Sequence, residues 1–185
     1  VIKKSSVEGY QSGLTVESTG TNNKDNCGYA GGYVGKLIGG QIWGDSTAHC
    51  QVKKLRRVDG RSYVGGFVGS SRPGSVATLN PTAGEGLLSQ LLNKLLSTPS
   101  DLIKVLNATV ATIRYADVES WDDWGFIVNG AYTTGKNNTS YAKTAGGFAG
   151  MLEGTVLGKK DSPTAGISVT NIRSVIAGEY AGGCF

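Results

Sequence analysis

Apolar positions along this chain come in short runs that alternate with polar ones or break at glycine, the period expected of β-strands rather than of long helices. The runs also recur. Four segments share one pattern: Tyr29-Ala-Gly-Gly-Tyr-Val-Gly35, Tyr63-Val-Gly-Gly-Phe-Val-Gly69, Thr144-Ala-Gly-Gly-Phe-Ala-Gly150 and Tyr180-Ala-Gly-Gly-Cys-Phe185. The first glycines of the pairs stand at 31, 65, 146 and 182, so the spacings are 34, 81 and 36. The middle gap equals one repeat of about 35 residues plus an insertion of about 46. The likeness extends on both sides of the glycines. Lys36-Leu-Ile-Gly-Gly-Gln-Ile42, Ser70-Ser-Arg-Pro-Gly-Ser-Val76 and Met151-Leu-Glu-Gly-Thr-Val156 each read as a glycine-containing turn followed by a new strand. Upstream, Val52, Leu55 and Val58 lie 13, 10 and 7 residues before Gly65, and Val169, Ile172 and Val175 lie at the same distances before Gly182.

A repeat of this length offers a few strands that cannot bury an apolar face alone, whereas stacking equivalent strands builds a continuous core. The alternation in Gly65-Gly-Phe67-Val-Gly69 turns one large residue inward per repeat, in a column with Tyr33 and Phe148. The paired glycines Gly31/Gly32, Gly65/Gly66, Gly146/Gly147 and Gly182/Gly183 stand where a Cβ would clash. The expected fold is mainly β: a right-handed β-solenoid of about four coils, forming a single repetitive domain over residues 1–185.

One stretch, about 79–124, departs from the strand pattern. Leucines at 87, 88, 91, 92, 95 and 96 make an apolar stripe at helical spacing, with Thr82 and Glu85 as a capping box. A second helix is predicted from Thr98, with Pro99 at its first position and Leu102, Ile103, Leu106 and Val110 on its buried face. The insertion is therefore expected to be two helices packed on the side or end of the β stack, since so many leucines left exposed would make an unusually large apolar patch.

Within its last part, acidic and aromatic residues interleave: Asp117, Glu119, Trp121, Asp122, Asp123 and Trp124. Tryptophan faces stack on sugar rings, and carboxylates accept hydroxyl hydrogen bonds or ligate hard cations. The spacing matches no calcium loop. These six residues are the best ligand-binding candidates in the chain, set against a plainer alternative in which the tryptophans are buried under the helices and the acids are solvated.

Composition narrows the rest. The chain has 29 glycines and 4 prolines in 185 residues, without the every-third-residue period of collagen. Net charge is +4, and the basic cluster Lys53, Lys54, Arg56 and Arg57 reads as a solvated strand face, with no nucleic-acid-binding signature beside it. Cys27, Cys50 and Cys184 form no CxxC pair, and His49 is the sole histidine, so no metal site and no cofactor are expected. His49 and Cys50 point to opposite faces of a strand and cannot form a dyad, which leaves His49 as an ordinary surface or turn residue. No catalytic set emerges, and no stretch approaches the 18 apolar residues of a membrane span.

The motif Gly-Gly-Phe-Val-Gly, then a glycine-containing turn and a strand with Ile or Val, resembles the GLUG-type repeats of large bacterial surface proteins, among them adhesins and IgA-protease-like proteins. The resemblance covers roughly 26–76 and 141–185. It departs at Cys184, which stands where the other repeats carry an aromatic, and at the insertion. It implies a β-helical module of a larger exported chain on a bacterial cell surface, binding a host or matrix glycan or protein, and it transfers no catalytic residue. The last repeat stops inside its own motif, which fits a piece of a longer protein. A structural stalk and a polysaccharide-acting β-helix enzyme are the alternatives.

Overall fold

The computed structural model describes residues 1–19, 28–74, 110–134, 138–158 and 165–185, and in these residues the protein is mainly β, with parallel sheets and no helix. The chain passes through the same sheets in the same order. The first pass is β1 (Ile2–Lys3), β2 (Ser6–Glu8), β3 (Leu14–Glu17), β4 (Tyr29–Gly31) and β5 (Val34–Ile38). The second is β6 (Gln41–Trp43), the long β7 (Cys50–Asp59), β8 (Tyr63–Gly65) and β9 (Val68–Arg72). The third is β10 (Ala111–Arg114), β11 (Ala116–Ser120), β12 (Phe126–Asn129), a hairpin of β13 (Ala131–Thr134) and β14 (Asn138–Tyr141), then β15 (Thr144–Gly146) and β16 (Ala149–Leu152). The fourth is β17 (Thr155–Leu157), β18 (Ile167–Val169), β19 (Ile172–Ile176) and β20 (Tyr180–Gly182). Pairing follows this succession: β1-β6-β10-β17 in one sheet, β4-β8-β15-β20 in another, β5-β9-β16 in a third, with β2 and β3 on β7, β7 on β11 and β12, and these on β18 and β19. Every pairing is parallel except that of the hairpin.

Parallel register puts like residues above one another. Ile2, Ile42, Ile113 and Leu157 form one column, Val7, Val52, Val118 and Val169 a second, and Val16, Val58, Val128 and Val175 a third. The members from the two middle passes are fully buried, while the outer ones are half-buried, apart from Ile2, which is exposed. Strands covered on both sides in this way are β-branched because such side chains fill a pleated surface well. The expected aromatic column is present: Tyr33 stacks on Phe67 at 4.5 Å between centroids, and Phe67 on Phe148 at 4.9 Å. Its next position is Cys184, packed partly buried against the core.

The paired glycines have two separate causes. At the first of each pair, a Cβ would lie about 2 Å from a carbonyl oxygen of its own turn: Gly31 from Val34, Gly65 from Val68, Gly146 from Ala149. At the second, it would hit the next pass: Gly32 meets the Gly66 oxygen at 2.3 Å, Gly66 the Gly147 oxygen at 2.0 Å, and Gly147 the Gly183 oxygen at 2.0 Å. None of these glycines has a positive φ, so the requirement is close backbone approach and not backbone freedom.

The three-residue spacing of Val52 and Leu55, and of Val169 and Ile172, is unusual for strands. Lys54 (φ 55°) and Asn171 (φ 56°) are left-handed at equivalent points and turn the chain through a corner with a single residue. Arg56 and Arg173 then stand as bulges opposite Leu14/Thr15 and Phe126/Ile127, which accounts for the second interval of three.

The insertion does not run to residue 124. Residues 111–124 belong to the third pass: β10 pairs with β6 and β17, and β11 pairs with β7 and β18. The surplus over one repeat divides between two corners. Residues 73–110 stand where the other two turns of that kind use only Gly39–Gly40 and Glu153–Gly154. Residues 130–143, carrying the hairpin, stand where Gly60–Ser62 and Ala177–Glu179 suffice. The residues of the two expected helices, 82–96 and 98–109, lie outside the described part of the chain. The strands β10 and β11 share no local spacing with their equivalents, because a loop separates Val118 from Phe126 and hides the column.

Candidate functional site

Of the six candidate residues, β11 places Asp117 and Glu119 on its outer side, alternating with buried Ala116 and Val118. Register sets Asp117 in an outer polar column with Ser6 and Gln51 below it and Ser168 above. Its carboxylate is fully engaged. Oδ2 accepts from His49 Nδ1 at 2.6 Å and from Gln51 Nε2 at 3.3 Å, and Oδ1 accepts from the Ser168 hydroxyl at 2.6 Å. His49 is therefore more than an ordinary turn residue, and nothing in its sequence neighbourhood announces a partner 68 positions away. It is positioned by a turn in which Asp45 accepts from the Thr47 and Ala48 amides and the Thr47 hydroxyl, and by the Tyr115 ring, tilted against it at 5.3 Å. Lys4 pairs with Asp45, and with Thr47 it holds that carboxyl well below the usual carboxylate range. An open polar cleft of about 560 Å³ runs past Lys4, Thr47, His49, Gln51 and Asp117. Asp117 there ties the second, third and fourth passes together; its oxygens are occupied by the protein itself.

The tryptophans occupy the turn between β11 and β12. The Asp122 carboxylate accepts from the Trp124 amide at 3.1 Å, the Ser120 hydroxyl accepts from the Asp122 amide at 3.3 Å, and Gly125 at φ 84° releases the chain into the buried Phe126. Asp122 thus shapes the turn. Trp121 is held from the first and second passes: its indole N–H donates to the Gln11 carbonyl at 2.9 Å, and the Arg56 guanidinium lies 5.6 Å from its ring centroid. It remains 38% exposed, and Trp124 is 75% exposed. The helices under which the alternative buries both rings lie outside the described residues. Glu119 and Asp123 are exposed. The six residues do not converge. They make an aromatic turn (Trp121, Trp124, shaped by Asp122) and a separate polar column (Asp117), with Glu119 and Asp123 on the solvent side.

Among the described residues no group of three His, Cys, Asp or Glu side chains could hold a metal ion, and no helix is long and apolar enough to cross a membrane. Cys50 and Cys184 are free thiols, the latter pushed up in pKa by burial; Cys27 lies outside the described residues. No protein-family model matches the chain, and neither a curated protein nor a solved structure matches it.

Proposed function

We propose that the four passes are coils of a short β-solenoid, and that it serves as a non-enzymatic adhesion module of a larger bacterial cell-surface protein, binding a host or matrix glycan or protein. The handedness proposed is right-handed, the hand of nearly all parallel strand crossovers. The observation that carries the binding reading is the exposed aromatic turn. A tryptophan 75% exposed beside a second one held by Gln11 and Arg56 is a costly arrangement for a surface with no partner, and it is the usual chemistry of a sugar-stacking platform. The resemblance to GLUG-type repeats supports the extracellular setting.

A glycan-array screen of the protein beside Trp121→Ala and Trp124→Ala tests this. The expected result is selective binding that Trp124→Ala removes without moving the melting temperature, Trp121→Ala also removing it at some cost in stability. An array on which nothing binds, or binding indifferent to both changes, overturns the reading.

The second reading is a stalk, favoured by the continuous valine columns and by Asp117 spending its oxygens on holding passes together. A polysaccharide-cleaving enzyme has less support, because Asp117 is engaged by His49 and Ser168 while Asp122 caps a turn.

A further inference from the structure

The outer side of the β1-β6-β10-β17 sheet carries a cluster that the tryptophan turn does not use. Inward Ile2, Ile42 and Ile113 alternate with outward Lys3, Trp43 and Arg114, which end β1, β6 and β10 and stand in register. The Lys3 ammonium lies 6.0 Å from the Trp43 ring centroid and the Arg114 guanidinium 5.1 Å from it, one from the pass below and one from the pass above. Two strand spacings separate these cations, roughly 9–10 Å. No acidic residue occurs in the four strands of the sheet, and among the described residues no carboxylate pairs with Lys3 or Arg114. Arg114 is half-buried, with its Nε enclosed and without a hydrogen-bond partner, so its guanidinium is anchored against the ring. Just past these strand ends opens the polar cleft of about 560 Å³, and it crosses the same three passes: Lys4 and Ser6 from the first, Ser46 and His49 from the second, Asp117 from the third.

We propose that this corner binds an acidic polysaccharide, a chain with one carboxylate or sulfate per disaccharide. It would run along the stack, its sugars in the cleft and its anionic groups on Lys3 and Arg114. The inference rests on the adhesion reading above and gives it a second site, separate from the tryptophan turn. The two carboxylates at the corner are already held, Asp45 by Lys4 and Asp117 by His49, Gln51 and Ser168. Even with His49 left uncounted, the three cations Lys3, Lys4 and Arg114 exceed these two acids, and Lys3 and Arg114 are the ones without a carboxylate. Their separation is about the reach of one disaccharide, so a polymer meets both charges where a single acidic sugar meets one. The cleft has the size of a small-ligand site. The exposed Ser6 and Ser46 hydroxyls offer hydrogen bonds to those of a sugar. Held on the Trp43 ring, the cations lose little freedom on binding. A nucleic acid, with its much denser phosphates, would leave most of them unmatched.

The test is titration calorimetry of the whole chain with hyaluronan and chondroitin sulfate tetrasaccharides, against a chitin tetrasaccharide as neutral probe and glucuronate as a single acidic sugar. Both acidic tetrasaccharides are expected to bind, and glucuronate at least about tenfold more weakly. Lys3→Gln should weaken the acidic pair about fivefold and leave any neutral binding as it is, the loss of one charge-assisted contact. Lys3→Arg should keep the acidic binding, and Trp124→Ala should not change it. Lys3 is exposed, so Lys3→Gln stays informative if Arg114→Gln lowers the melting temperature. Acidic-sugar binding indifferent to both Lys3→Gln and Arg114→Gln overturns the corner site; where Trp124→Ala removes it instead, the adhesion reading stands. Neutral glycans bound at the tryptophan turn on the array, with neither acidic tetrasaccharide bound, overturn this inference alone. No binding to any sugar, here or on the array, overturns both. Single-stranded DNA displacing the acidic tetrasaccharides at equal charge concentration would show an unselective cationic patch and also sink the proposal.

Discussion

Gly66 sits with the Gly147 carbonyl oxygen 2.0 Å from where its Cβ would be, and Phe126 3.0 Å away on the ring side. A methyl there has to push one pass off the next. Gly66→Ala is therefore expected to cost on the order of 2 kcal/mol or more, read as a lower denaturation midpoint. Phe67→Ala, at the centre of the ring column, should cost about 3–5 kcal/mol by the same measurement. The charged residues behave more mildly. Lys4 and Thr47 depress the Asp45 carboxyl, and Lys54 depresses that of Glu8. A carboxyl lowered on folding adds stability that is present above its ordinary value and lost as pH falls below about 4. Both pairs are exposed, so the contribution is small and screened by salt. Asp45→Asn should melt slightly below the parent at neutral pH and low ionic strength, and the two curves should converge in acid.

Between single residues and the whole lies the corner, and corner length decides how much of the fold can be read from sequence. The second and fourth passes make one corner with a single left-handed residue, Lys54 or Asn171, so Val52, Leu55 and Val58 repeat in step with Val169, Ile172 and Val175 and betray their equivalence. The first and third passes make the same corner with loops, 9–13 and 121–125, so Val7, Leu14 and Val16, and Val118, Phe126 and Val128, fill the same columns without showing any common spacing. The aromatic column and the glycine pairs were legible because both depend on a rigid local turn. The candidate site was half legible. Trp121 and Trp124 stand out by composition, whereas the His49–Asp117 pair and the Lys3–Trp43–Arg114 ladder are made by stacking between passes, which no local pattern encodes. If corners are interchangeable, replacing residues 73–110 with Gly-Gly, as at Gly39–Gly40, should leave the β circular-dichroism spectrum and a cooperative melt. Loss of the melt would mean that β10 needs more than its neighbours β6 and β17 to form.

The molecule as a whole has a core whose quality depends on height. Valines of the second and third passes are sealed, while Leu14, Val16, Val169, Ile172 and Val175 are covered only in part. Val52, Val58 and Phe67 each stack on residues of the passes on either side, so if the passes are the coils of the proposed solenoid, stability should be close to a sum of neighbour terms. Hydrogen exchange is expected to be slowest in β7 and β12 and fastest in β18 and β19.

Gly183 is the one member of its pairs with open space around the missing Cβ, nothing lying within 4 Å. Its tolerance is thus a gauge of neighbourhood. Alanine at 183 should be silent in this chain, within about 0.5 kcal/mol, and become as harmful as at 66 in any setting where another layer settles on the fourth. An alanine walked up the glycine column can therefore count storeys from outside, the first harmless position marking the roof.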